Sequence, residues 1–152
     1  MTTPVRPHVA VLAMLMAVTV PTAAAHAACP RPEPASAASI VRQTAGVRAA
    51  HGVAGLSVRA PLARPATAHS RAMARRGRLW HDDLRRWAGR SVAAQNVAAG
   101  ATPALAMRAM MQSPTHRASL LDRRFRFIGV GAVRDCRGML MVTVNMQGRP
   151  LR

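Results

Sequence analysis

Two helix starts followed by two β-rich runs place the strongest limit on what this chain can fold into. Thr102-Pro103 and Ser113-Pro114 each set a capping hydroxyl before a proline at the first helical position. They predict helices over residues 103–112 and 114–122. The period then changes. Phe127–Val133 and Met139–Gln147 are rich in β-branched and large apolar residues, and Arg134-Asp135-Cys136-Arg137-Gly138 separates them. That pattern is a β-hairpin. Helices that precede a terminal hairpin define an α+β layered domain.

The N-terminal half adds two more helices. Ile40, Val41, Thr44, Val47 and Arg48 suggest one, stopped at Gly52 just after His51. A second spans Pro61 to Arg76 and stops at Gly77. Leu62, Ala66, His69 and Met73 share one of its faces at spacings of four, three and four, while Arg64, Arg71, Arg75 and Arg78 lie largely elsewhere. Pro65 makes the first turn irregular. Residues 81–89 read as a loop with a helical turn. Residues 91–100, which hold Gln95-Asn96-Val97, receive no assignment, and there is no internal repeat.

The chain's beginning reads as an export signal. Val9–Val20 is apolar and uncharged behind Arg6, Pro21 ends it, and Ala25-His26-Ala27 fits an A-x-A cleavage site. The run is shorter than the roughly 20 residues of a spanning helix. Lipidation at Cys29 is disfavoured, because His26 stands where an aliphatic residue is wanted. The expected organisation is a signal peptide over 1–27, a stiff linker over 28–38 built on Pro30, Pro32 and Pro34, and one domain over 39–149. The destination is secretion, or the periplasm where the envelope has one. Cys29 and Cys136 survive cleavage, and an even count in an exported chain points to one disulfide.

Charge bears on partners. The formal net charge is +17, and all 22 basic residues are Arg. A basic surface suits an anionic envelope lipid, glycan or protein. A GC-rich coding sequence also produces an Arg-rich chain without Lys. Nucleic acid is a poor candidate, since no long Arg block and no interleaved aromatics occur. Aromatics are only 3% of residues, so the core must be built from Ala, Val, Leu, Ile and Met.

Much catalytic chemistry is excluded. Glu33 is the only Glu, and Asp82, Asp83, Asp122 and Asp135 are the only Asp. No pair of them is placed for general acid–base work. There is no G-x-S-x-G, H-E-x-x-H, P-loop or C-x-x-C. His51 reads as a helix cap and His69 as a packed core histidine. His81 and His116 remain.

Four segments occur in order: Met73-Ala74-x-x-Gly77-x-x-x-His81, Gln95-Asn96-Val97-Ala98-x-Gly100, Met110-Met111-x-Ser113-Pro114-x-His116-Arg117-x-x-Leu120-Leu121, and Phe125-x-x-Ile128-Gly129-Val130-Gly131. Together they resemble the CAP superfamily of SCP-like extracellular domains, in its compact bacterial form. The resemblance covers about Ile40 to Gln147. It implies a three-layer α/β/α sandwich with a C-terminal β-hairpin and a cleft lined by two histidines and one or two glutamates. Carried across, the histidines are His81 and His116. Gln95, followed by Asn96, stands where the family has Glu, Met110 where it has Trp, and the second Glu has no match. Gln can hold a geometry through hydrogen bonds but cannot take a proton. His81 and His116 could ligate a divalent metal such as zinc, one ligand short of the usual catalytic site. The expected function is a non-catalytic binding module whose ligand residues are His81, Gln95, Asn96 and His116. The alternative is a metal-dependent hydrolase or peptidase using His81 and His116, with Asp82 as the only nearby base.

Overall fold

The computed structural model describes residues 29–150, so the expected signal peptide lies outside the described residues. Its elements are β1 (Arg31–Pro32), α1 (Pro34–Ala50), β2 (Ser57–Val58), α2 (Ala60–Arg76), α3 (Arg85–Ala88), β3 (Ser91–Gly100), α4 (Pro103–Gln112), α5 (Pro114–Leu121), β4 (Phe125–Arg134) and β5 (Leu140–Pro150). The order across the sheet is β1-β4-β5-β3, with β2 added in parallel to β4. The β4–β5 hairpin is antiparallel, with Val130 opposite Val144. The architecture is the expected three-layer sandwich.

The alternation along β5 shows why the sheet has two covered faces. Val142, Val144 and Met146 are fully buried and join Ile40, Met107, Met110 and Leu120 in the larger core, under α1, α4 and α5. Thr143 and Asn145 are equally buried but face α2. On that side the α2 residue Ser70 donates its one hydroxyl hydrogen to the Gly131 carbonyl at 3.0 Å, which leaves its oxygen to accept from the Thr143 hydroxyl at 2.9 Å. A strand covered on both faces must satisfy its polar side chains internally.

Helix α2 lies directly on β4, and Gly129 and Gly131 are the reason it can. A Cβ at Gly131 would stand 2.3 Å from the backbone of Ala66 and Thr67, and one at Gly129 would stand 2.2 Å from Leu62 and Ala63. Gly77 ends α2 with φ of 62°, the left-handed conformation that suits glycine. The Thr102 and Ser113 side chains cap α4 and α5 by accepting from Leu105 N–H and His116 N–H. Both helices begin where their Thr-Pro and Ser-Pro signals indicated.

One expectation needs correcting, and two features had no reading in the sequence. First, residues 29–38 of the expected linker do not stand apart from the domain. Arg31 and Pro32 pair with Arg134 and Val133, and α1 starts at Pro34, ahead of the expected Ser39. The cause is Glu33, whose carboxylate takes Arg134 Nη2 at 2.8 Å and the Ser36 hydroxyl at 2.9 Å. Second, residues 91–100 form a ten-residue strand. Its alanines have little strand preference, and pairing with β5, unbroken from Ala93 to Gly100, overrides that. Third, Arg48 is fully buried. It donates to the carbonyls of Ala54 at 2.7 Å, Leu120 at 2.8 Å and Asp122 at 3.1 Å, tying the end of α1 to the end of α5.

Cys29 and Cys136 form a disulfide, with their Cα atoms 5.3 Å apart. It pins the start of the described chain to the β4–β5 turn. Among the described residues, no helix is long and apolar enough to cross a membrane.

Candidate functional site: two histidines at the edge of the sheet

Strand β3 is at one end of the sheet, so one of its edges has no strand partner. Successive side chains on it point to opposite faces. Gln95 therefore faces the α2 layer, and Asn96 faces the α4–α5 layer. Each amide reaches a histidine-bearing segment. Gln95 Oε1 accepts from the Asp82 N–H at 2.8 Å, one residue beyond His81. Asn96 Nδ2 donates to the His116 carbonyl at 2.9 Å. The edge strand thus tethers both segments, one from each face, and the imidazoles meet with ring centroids 5.8 Å apart at 61°.

The orientation of the Gln95 amide is forced. Asp82 N–H can only donate, so the oxygen of Gln95 must face it. The Leu62 carbonyl can only accept, so Asn145 presents its nitrogen there, at 3.2 Å. That leaves Asn145 Oδ1 to accept from Gln95 Nε2, at 3.0 Å. Gln95 and Asn145 are both buried, and both ends of the Gln95 amide are engaged. Asn145 was not singled out in the sequence. The available signal was an amide in the middle of an apolar alternating run, Val142 to Met146.

The histidines differ in environment. His81 is exposed and His116 is half-buried at the start of α5, where Ser113 Oγ accepts from its backbone N–H. Burial, and then the neighbouring His81, push the His116 imidazole below its ordinary pKa. Its neutral form is therefore favoured near pH 7, which is the form that accepts a hydrogen bond or ligates a metal. His51 and His69 have the expected structural roles. His51 follows α1, its Nδ1 2.8 Å from the Val47 carbonyl. His69 is buried, its Nε2 2.7 Å from the Trp80 carbonyl and its ring edge-on to the indole. Met110 is fully buried in the larger core.

The donor set does not fit a resident zinc ion. Two imidazoles converge, but a catalytic zinc site uses three protein ligands. Among the described residues no group of three His, Cys, Asp or Glu side chains is placed to hold a metal. Asp82, the nearest carboxylate in sequence, accepts from Asp83 N–H and pairs with Arg86 at 3.8 Å.

Two histidine segments tethered by the edge strand of a three-layer sandwich are the arrangement that the resemblance to SCP-like domains implied. Residues 41–146 match the model of the CAP, or cysteine-rich secretory protein, family, and the chain belongs to that family. An extracellular protein of Bacillus anthracis containing an SCP domain is 26% identical, with a TM-score of 0.68, over 77% of this chain and 41% of that one. A cysteine-rich secretory protein of Staphylococcus aureus is 21% identical, with a TM-score of 0.65, over 76% of this chain and 39% of that one. This chain therefore spans about two-fifths of the length of those two proteins. An outer surface protein of Borrelia burgdorferi shares the fold at 13% identity and a TM-score of 0.70, over 79% of this chain and 98% of that one. No curated protein sequence matches.

Proposed function

We propose that this chain is an exported, non-catalytic binding module of the CAP type. The observation that carries the reading is the engagement of Gln95. Its amide joins Asp82 to Asn145, so the position that would supply a carboxylate beside the histidines supplies a structural tether instead. A histidine acting as general base is ordinarily oriented by a carboxylate that also stabilises its protonated form, and among the described residues neither His81 nor His116 has such a partner. The remaining pair, a neutral-leaning His116 and an exposed His81, is equipped to donate and accept hydrogen bonds to a polar ligand. A disulfide-stapled domain with a strong positive charge fits an oxidising, extracytoplasmic setting and an anionic envelope partner.

Calorimetric titration of the disulfide-intact domain with zinc, beside a peptidase assay on a mixed peptide library, tests this. The expected result is no nanomolar zinc site and no cleavage above buffer. Tight zinc binding, together with cleavage lost in His81→Ala, would establish the metal-dependent hydrolase instead.

A further inference from the structure

The outward face of α2 has a charge arrangement that the cleft does not use. Arg64, Arg71 and Arg75 are separated by seven and four residues, which places all three on one face. At 1.5 Å per residue they extend over about 16 Å of helix axis. The helix contains no acidic residue. Among the described residues every acidic group is already engaged, and none pairs with an arginine of α2. Glu33 pairs with Arg134 and Arg31, Asp82 with Arg86 and Asp122 with Arg124. Asp83 and Asp135 accept from backbone N–H groups. Arg64, Arg71 and Arg75 have no ion pair or side-chain hydrogen bond among the described residues. Three like charges in line repel one another, and an external polyanion would relieve that repulsion.

Next to this stripe is an open groove of about 600 Å³, lined by Pro65, Ala68, His69, Ala72, Arg76, Trp80 and the Asp82–Arg86 pair, in which Arg86 offsets the one carboxylate of the lining. Its floor is built of small residues, which allows a ligand close approach to the helix. At its far end Trp80 holds two more cations, with the guanidinium carbons of Arg76 and Arg78 at 5.1 and 5.0 Å from the indole. Stacked guanidinium groups lose less freedom on binding than free ones, and their planar forks suit carboxylates.

We propose that the outward face of α2 from Arg64 to Arg76, continued by Arg78 just beyond the helix, is a docking strip for a linear acidic polysaccharide. The charges form a line beside a groove, which matches a polymer with repeated carboxylates better than a single small anion. A lipid surface is a poorer match. The exposed large hydrophobic residues among the described residues are Val58, Leu79, Leu105 and Met139; only Leu79, between Arg78 and Trp80, adjoins the strip, and one residue makes no apolar face for insertion. The strip supplies a ligand class to the binding-module reading but does not depend on the histidine pair.

Titration of the disulfide-intact protein with polygalacturonate, followed by intrinsic tryptophan fluorescence at low and high salt, tests the strip. Binding should weaken steeply with salt. Arg64→Ala/Arg71→Ala/Arg75→Ala should weaken it at least about tenfold and flatten the salt dependence. The control Arg42→Ala/Arg108→Ala/Arg123→Ala removes the same charge from other elements and should change affinity less than about twofold. His81→Ala/His116→Ala should bind the polymer like the parent. Equal losses in the two triple variants would reduce the effect to bulk charge and overturn the strip. Loss in the histidine variant alone would move the site to the cleft and overturn the strip while leaving the binding-module reading intact. Stripe-dependent binding to phosphatidylglycerol vesicles or to duplex DNA, without binding to polygalacturonate, would also overturn it.

Discussion

Gln95→Glu restores the residue that the family usually carries at this position, yet it should destabilise this chain in a pH-dependent way. In the parent, Gln95 Nε2 donates to Asn145 Oδ1 across 3.0 Å, while Asn145 Nδ2 is held by the Leu62 carbonyl. A carboxylate would set oxygen against oxygen there. Turning Asn145 over would only move the conflict to Leu62. Gln95 is 6% exposed and Asn145 0% exposed, so water cannot repair the mismatch. An unmet buried acceptor costs about 1–3 kcal/mol, and the buried charge, partly offset by the Asp82 N–H, raises the total to about 2–4 kcal/mol. Protonation cures the conflict, because a carboxylic acid donates to Asn145 and accepts from Asp82. The folded-state pKa of the carboxyl group introduced by Gln95→Glu is therefore raised, by about 1.5–3 units for that penalty. The variant should match the parent below about pH 4 and lose stability as pH rises from the ordinary Glu value through the raised one. Urea unfolding of variant and parent at pH 4 and pH 8, with the disulfide intact, measures the difference. A difference that is the same at both pH values, or below about 0.5 kcal/mol at pH 8, would refute the tether.

Other consequences of the fold can be measured in the same way. The Arg134 guanidinium holds the Glu33 carboxyl at about 2, against an ordinary 4.5. The pair's contribution should therefore be complete above about pH 4.5 and disappear as pH falls toward 2; Glu33→Gln should remove that acid limb and cost about 1–2 kcal/mol at pH 7, read by thermal melts across the range. Gly131→Ala puts a methyl group 2.3 Å from the α2 backbone, so the helix must lift; a loss of more than about 3 kcal/mol in urea unfolding is expected, against less than about 1 kcal/mol for the open site Gly46→Ala. Replacing Cys29 and Cys136 together by Ala opens a loop of sequence separation 107 and should cost about 2–4 kcal/mol, seen as a lower urea midpoint that reducing agent no longer changes.

The Gln95 network also shows where reading the chain residue by residue reaches its limit. His81 and His116 could be selected by elimination and resemblance, but not their approach to 5.8 Å. Asn145 is 50 residues from Gln95, and the bond between them has no local trace. Strand β3 was missed for the same reason: an alanine-rich segment becomes a strand only when β5 is present to pair with it. Glu33 looked like part of a proline-rich connection because its partner, Arg134, is 101 residues away.

What the sequence determined by itself is local. The Thr-Pro and Ser-Pro caps, the glycine after α2 and the β-rich runs on either side of residues 134–138 act between residues a few positions apart, and they specify the helices and hairpin wherever the chain is placed. The signal-like run before Cys29 is likewise legible from composition alone. Only the tertiary structure decided which faces meet. It laid α2 on Gly129 and Gly131, where no Cβ intervenes, put β3 at the sheet edge, and turned the amides of Gln95 and Asn96 to opposite sides so that each holds one histidine segment. Those outcomes depend on packing and on hydrogen bonds between distant residues, whose geometry exists only once the layers have closed.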